Sequence, residues 1–119
     1  MARQRHSTAS LRADFFEDAV AIVEREYAED LVLADVARRI ATSRRQLQRV
    51  YAEVGNTTFR TQLTAVRMRH AAEKLAASPL TVREVAGGVG YRQPAQFAKA
   101  FRRHHGCTPS TYRARMARR

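Results

Sequence analysis

The chain has 119 residues, with 22 Lys or Arg against 11 Asp or Glu, a formal net charge of +11 at pH 7. That length fits one ordinary domain or two very small ones, and 45% apolar residues support a buried core and exclude a wholly disordered basic tail. No stretch approaches the roughly 18–20 apolar residues of a spanning helix, Met1 to Phe16 carries no apolar run of the kind a secretory signal needs, and the lone Cys107 excludes an internal disulfide framework.

Residues 1–12 lack periodicity and are expected to form a mobile basic arm. From Asp14, Phe15, Ala19, Ile22, Val23 and Tyr27 recur at three- and four-residue steps, which predicts an amphipathic helix. Its other face carries Glu17, Asp18, Glu24, Glu26 and Glu29, so phosphates would repel it and its role is scaffold. A short helix over Leu33 to Ile40 follows, with Val36, Ala37 and Ile40 inward. Ala41-Thr42 makes a turn, and Ser43 with Gln46 three residues on reads as a capping box. The helix this box opens buries Leu47, Val50, Tyr51 and Val54, and Gly55 is expected as its left-handed stop.

A longer helix is predicted from Thr58 to Ala77, with Phe59, Leu63, Val66, Ala71 and Leu75 on one side and Ser78-Pro79 ending it. The earlier pattern then returns. Thr81-Val-Arg-Glu84 is a second capping box opening a short helix with Val85, Ala86 and Val89 inside, and Gly90 makes the turn. A helix from about Gln93 to His105 buries Phe97 and Phe101, Gly106 closes it, and Thr108-Pro109 opens a last helix through Tyr112. Strand-like alternation is absent, so the fold class is all-α.

The return is an internal repeat. Leu31, Val36, Ala37 and Ile40 match Leu80, Val85, Ala86 and Val89 at an offset of 49, and Leu47 and Tyr51 match Phe97 and Phe101 at 50. Val32 stands where the second copy has its cap Thr81, so the first copy either relies on Asp30 or frays there.

Each copy is a short helix, a tight turn and a second helix with an apolar inner stripe: the helix-turn-helix pattern, whose second helix enters a DNA major groove. With Leu47 and Tyr51 inward, Arg45, Gln48, Arg49 and Ala52 face out, and with Phe97 and Phe101 inward, Arg92, Ala95, Gln96, Lys99, Arg102 and Arg103 do. Arg can pair bidentately with guanine and Gln with adenine, while Ala95 could meet a thymine methyl and Arg102 and Arg103 suit phosphates. The charge is lopsided in the same sense. Residues 1–30 hold four basic and seven acidic side chains, and residues 31–119 hold eighteen basic and four acidic, nets of −3 and +14. A polyanion is the expected partner, as a nucleic acid or an anionic membrane surface. A solvated basic face alone, or a GC-rich genome behind twenty Arg against two Lys, would not place the same geometry in the chain twice.

From about Asp14 to Arg115 the sequence resembles the DNA-binding domain of the AraC/XylS family of bacterial transcription regulators. The most specific portion runs from Val89 to Arg113: Gly90-Tyr91, then Phe97 and Phe101 followed by Arg102-Arg103, then Gly106, Thr108-Pro109 and Tyr112-Arg113. Ser43, Leu47, Arg49 and Gly55 match in the first half, and Arg67, Ala71 and Leu75 in the long helix. The resemblance implies seven helices in two helix-turn-helix subdomains joined by the long helix, reading two successive major-groove segments. The expected division is a 1–12 arm and a 13–119 DNA-binding domain, itself split into 13–56, a 57–78 linker helix and 79–119. Carried over by position, Arg45, Gln48 and Arg49 read bases in the first module, and Gln93, Pro94, Ala95, Gln96 and Lys99 occupy the corresponding stretch of the second, where Pro94 adds no donor; Arg92 joins that expected base-reading set from its place on the outer face. Ser43, Arg44, Arg60, Arg67, Arg102, Arg103 and Arg113 are the expected phosphate contacts. The expected partners are double-stranded DNA and, for an activator, RNA polymerase, with a monomer on an asymmetric site and no membrane. The expected setting is the bacterial cytoplasm at the nucleoid. Family members usually carry a further effector-binding or dimerisation domain, so the chain is expected either to stand alone or to be part of a longer regulator.

Other signals are weaker. His104 and His105 beside Cys107 do not make a four-ligand cluster, since adjacent helical side chains diverge by about 100°. His70 lies near the buried stripe and is expected to be packed or hydrogen-bonded. Gly87-Gly88-Val89-Gly90 lacks the Lys-Ser/Thr of a nucleotide loop and is expected to ease helix crossing and the turn. No nucleophile–base arrangement is present, so neither an enzyme, a cofactor nor a metal is expected.

Overall fold

A computed structural model describes residues 8–119. Among the described residues there are seven helices and no strand: α1 (Thr8–Glu26), α2 (Leu33–Arg39), α3 (Arg44–Glu53), α4 (Phe59–Ala77), α5 (Val82–Gly88), α6 (Pro94–His105) and α7 (Pro109–Ala117). The all-α expectation holds. Two compact units form, one from the described part of Met1–Glu26 with Leu31–Gln62, the other from Tyr27–Asp30 with Leu63–Arg119. The boundary between the units falls within α4, whose first turn belongs to the first unit and the rest to the second.

In the first unit Ala19, Ile22, Val36, Ala37, Leu47, Val50 and Tyr51 are buried together, with Phe15, Phe16, Leu31, Leu33, Ile40 and Phe59 packed around them. Helix α1 starts at Thr8, earlier than Asp14, because Leu11 extends the apolar stripe back by four residues and is half-buried. Arg12 reaches Glu53 at the end of α3, Nη2 to Oε1 2.6 Å. Residues 8–12 are therefore helix rather than arm, and the rest of the expected arm lies outside the described residues. Val32, at the N-cap of α2, makes no side-chain cap bond, and Asp30 does not replace it. The Ser43 hydroxyl accepts the Gln46 N–H at 3.0 Å, but the reciprocal half of that box is replaced: the Thr42 hydroxyl donates to Gln46 Oε1 at 2.8 Å.

The end of α3 corrects the expectation for Gly55. The left-handed residue there is Asn56, at φ 52°. Gly55 is needed for close approach instead, since a Cβ there would lie 2.3 Å from Phe16 Cε1. Phe16 in turn meets Tyr51 edge-on at 5.3 Å between ring centroids, so the notch at Gly55 seats α1 against α3. Val54, expected inward, is exposed.

In the second unit Met68, Ala71, Leu75, Val85, Ala86, Val89, Phe97 and Phe101 form the core, with Tyr27, Tyr91 and Tyr112 packed against it. The Thr81 box closes both ways: Thr81 Oγ1 accepts the Glu84 N–H at 3.0 Å, and Glu84 Oε1 accepts the Thr81 N–H at 2.9 Å. These bonds, first the one from the Thr81 backbone, hold the Glu84 carboxyl below its ordinary pKa. Gly90 at φ 100° and Gly106 at φ 81° make the left-handed turns expected of them. Thr108 caps α7 by accepting the Thr111 N–H, with Pro109 in the first turn.

Gly87 and Gly88 do not ease a helix crossing: a Cβ at either would meet nothing within 4 Å, and neither has a positive φ. Gly87→Ala and Gly88→Ala should each stabilise the protein by about 0.5–1 kcal/mol through helix propensity alone. Gly55→Ala should instead destabilise it by about 1–3 kcal/mol, because Phe16 must leave its seat. Urea denaturation of the three variants checks both signs; stabilisation by Gly55→Ala would contradict the seating of Phe16.

Candidate nucleic-acid interface

A helix that presents side chains to a groove needs its opposite face fixed in the core. In the first unit Leu47, Val50 and Tyr51 do this for α3 and leave Arg44, Arg45, Gln48, Arg49 and Ala52 exposed. Tyr51 is 1% exposed, so its hydroxyl does not reach bulk water. It donates to Gln62 Oε1 at 2.6 Å, and burial pushes its pKa up. Ser43, an expected phosphate contact, caps the helix with its oxygen and remains exposed, as does Arg60 near the start of α4.

In the second unit Phe97 and Phe101 face inward on α6. Gln93, Pro94, Ala95, Gln96, Lys99, Arg102 and Arg103 are all exposed, with Arg92 in the turn before them. Pro94 occupies the first helical position, where its missing N–H costs nothing. Each sequence-predicted reading set therefore lies on the outer side of its own helix, as the inward stripe requires.

Two of the expected phosphate contacts, Arg67 and Arg113, make hydrogen bonds within the chain. Arg67 donates from Nε to the Tyr27 carbonyl at 2.7 Å and from Nη2 to the Glu29 carbonyl at 2.8 Å. A Cβ at Gly90 would lie 3.0 Å from its guanidinium carbon, and the Tyr91 ring is 5.7 Å away. Burial lowers its pKa, opposed by Tyr91 and Asp30. Arg113 donates from Nε to the Leu75 carbonyl at 3.0 Å and from Nη2 to the Ser78 carbonyl at 3.3 Å. Both guanidiniums hold main chain inside the second unit: Arg67 ties the Tyr27–Asp30 segment beside the α5–α6 turn, and Arg113 ties the end of α4 to α7. Nothing local in the sequence marks this role, because the acceptors lie 35 to 40 residues away.

His70 and His105 serve packing. His70 stacks on Tyr27 at 4.0 Å between centroids and 5° between planes. His105 Nε2 lies 3.1 Å from the Met68 carbonyl. His104 has a lowered pKa, from burial first and then the neighbouring His105. Among the described residues no group of three or more His, Cys, Asp or Glu could hold a metal ion, and no helix is long and apolar enough to cross a membrane.

Removing a guanidinium that binds two part-buried carbonyls differs from removing one that faces water. Arg113→Ala should lower unfolding stability by about 1–3 kcal/mol, whereas Arg102→Ala should change it by no more than about 0.5 kcal/mol. Thermal and urea unfolding without any nucleic acid measures both, and equal effects would reject the division.

Residues 36–115 match the family described as a helix-turn-helix domain. The raffinose operon transcriptional regulatory protein RafR of Pediococcus pentosaceus is 32% identical over 98 residues, 82% of this chain and 35% of that protein. The RCS-specific transcriptional activator RclR of Escherichia coli is 38% identical over 74 residues, 62% of this chain and 26% of that protein. The chain thus spans about a quarter to a third of these relatives' length. Among solved structures, the DNA-binding domain of AdpA in complex with a target DNA superposes with a TM-score of 0.79 at 31% identity, over 88% of this chain and 95% of that one. The C-terminal domain of the response regulator AraT from Geobacillus stearothermophilus gives 0.82 at 29% identity, over 93% and 88%. With two helix-turn-helix units, each turning a basic face outward, and with these likenesses, the chain belongs to the AraC-type helix-turn-helix family of transcription-regulator DNA-binding domains.

Proposed function

We propose that the chain is a sequence-specific double-stranded DNA-binding regulator of transcription whose α3 and α6 enter successive major-groove segments. The observation that carries this is the repeated arrangement: in each unit one helix has its apolar stripe buried and an Arg-, Gln- or Lys-bearing face exposed. The structural likeness to a domain solved on its target DNA supports the same use.

In the first module Arg45, Gln48 and Arg49 read bases, since guanidinium and carboxamide groups match guanine and adenine edges. In the second, Arg92, Gln93, Ala95, Gln96 and Lys99 take that role. Pro94 and Ala95 offer no side-chain donor, so this module reads less by hydrogen bonding and more by apolar contact. Ser43, Arg44, Arg60, Arg102 and Arg103 serve as phosphate contacts that position the modules without carrying sequence information. Because the two faces differ, one copy of the chain fits an asymmetric site rather than a palindrome. RclR is named as an activator, and by that likeness we assign activation, with RNA polymerase as second partner, in the bacterial cytoplasm at the nucleoid. The chemistry is binding, with no catalytic step.

Sites enriched from random duplex DNA, followed by footprinting, test this reading. Protection should extend over two adjacent groove segments, and affinity should fall steeply with salt as counterions are released. Binding of every duplex or single strand alike would overturn it. Arg49→Ala should cost about 1–3 kcal/mol at preferred sites and flatten one base position of the enriched motif. An unchanged motif would remove Arg49 from the reading set.

A further inference from the structure

The segment Tyr27–Asp30 follows the first helix in sequence but belongs to the second unit. Three contacts fix it there: the stack of Tyr27 on His70 and the two main-chain carbonyls held by Arg67. The same Arg67 guanidinium packs against Gly90 and Tyr91, in the turn that leads into α6. One anchor therefore sets both the strap and the turn, and with them the residues next to Glu29 and Tyr91. Those residues are Asp30 and Arg92. Asp30 Oδ2 lies 3.7 Å from Arg92 Nη2, with the two side chains 86% and 88% exposed.

So exposed a pair adds little to stability, and Asp30 does not cap α2. Its location is informative for another reason. A carboxylate beside the first exposed cation of the second reading face is unfavourable wherever phosphates approach. We propose that Asp30 is a specificity-determining residue that acts through Arg92: it cancels much of the attraction of Arg92 for the phosphate backbone while leaving guanidinium N–H donors for a base edge. Arg92 then leaves its carboxylate partner readily only where DNA offers a two-pronged acceptor such as guanine. This rests on the reading of Arg92 as DNA-facing in the proposed function.

The test is a double-mutant cycle of D30N and R92A, measured by fluorescence anisotropy on a random-sequence duplex and on a site enriched by the parent chain. D30N keeps the shape of an exposed side chain, and urea unfolding verifies that the fold is intact. D30N should tighten binding to the random duplex by about three- to sixfold at low salt, the scale of one charge pair in water. It should tighten binding to the enriched site less, so that discrimination falls. In the R92A background the gain on random duplex should shrink to nearly nothing. An equal gain in both backgrounds would overturn the proposal, reducing Asp30 to general charge repulsion, and no gain in either would overturn it as well. The cycle on random duplex is readable even if the parent chain shows no preferred site, an outcome that would sink the proposed function while leaving the coupling of Asp30 to Arg92 decided by its own arm.

Discussion

Burial of one stripe on each presented helix is the constraint on which the rest of the molecule depends. A helix turns about 100° per residue, so committing Leu47, Val50 and Tyr51 to the first core fixes the direction of every other side chain on α3. Phe97 and Phe101 do the same for α6. The magnitudes decide which effect leads. Full burial of one large apolar side chain is worth about 1.5–3 kcal/mol, while an exposed ion pair is worth at most about 1 kcal/mol. The apolar stripe sets the rotation, and the basic face follows from it.

The two units meet that constraint with different local chemistry. The turn between the paired helices needs a left-handed residue in both, which is Gly90 in the second and Ala41, at φ 61°, in the first. An L-residue in that region costs about 1–2 kcal/mol that glycine does not incur. The first short helix also lacks the side-chain cap that Thr81 gives the second. The first unit offsets these deficits with long-range contacts: the Phe16 ring in the notch at Gly55, Arg12 on Glu53, and Arg39 forked on both oxygens of Glu26 at 2.8 and 2.7 Å. Of these three, only the Arg12 contact lies upstream of Asp14, and with the half-buried Leu11 it accounts for the extension of α1 back to Thr8.

What the sequence made legible follows the range of the interactions involved. The spacing of Phe97 and Phe101, the reciprocal box of Thr81 and Glu84, and the Gly106-to-Pro109 junction act within one helical turn, and each stands as the pattern indicates. The outward faces were legible too, since they are the complement of a periodic stripe. Gly55 was visible as a glycine but not for its reason, because Phe16 lies 39 positions earlier and only packing brings them together. Gln46 had the right spacing for a box, yet a neighbouring hydroxyl at Thr42 competed for its carboxamide. A pair of glycines such as Gly87 and Gly88 suggests a close helix crossing, whereas their surroundings are open.

The arginines show where a charge count stops being a map of an interface. Arg67 and Arg113 add to the net charge of +11 as fully as Arg49 does, yet each bridges two carbonyls inside the second unit. Guanidinium chemistry suits this use. Its rigid fork reaches two acceptors spaced along a chain end, where the point-like ammonium of lysine would orient neither. A basic composition therefore holds two populations, one facing solvent and one holding main chain, which differ in burial rather than in residue type. Their consequences also differ: an exposed guanidinium alters the long-range field that draws a polyanion, while an internal one fixes the backbone on which the exposed ones stand. Arg67 does this for Arg92, since its contacts with the Tyr27–Asp30 strap and the Gly90–Tyr91 turn determine where that exposed cation begins.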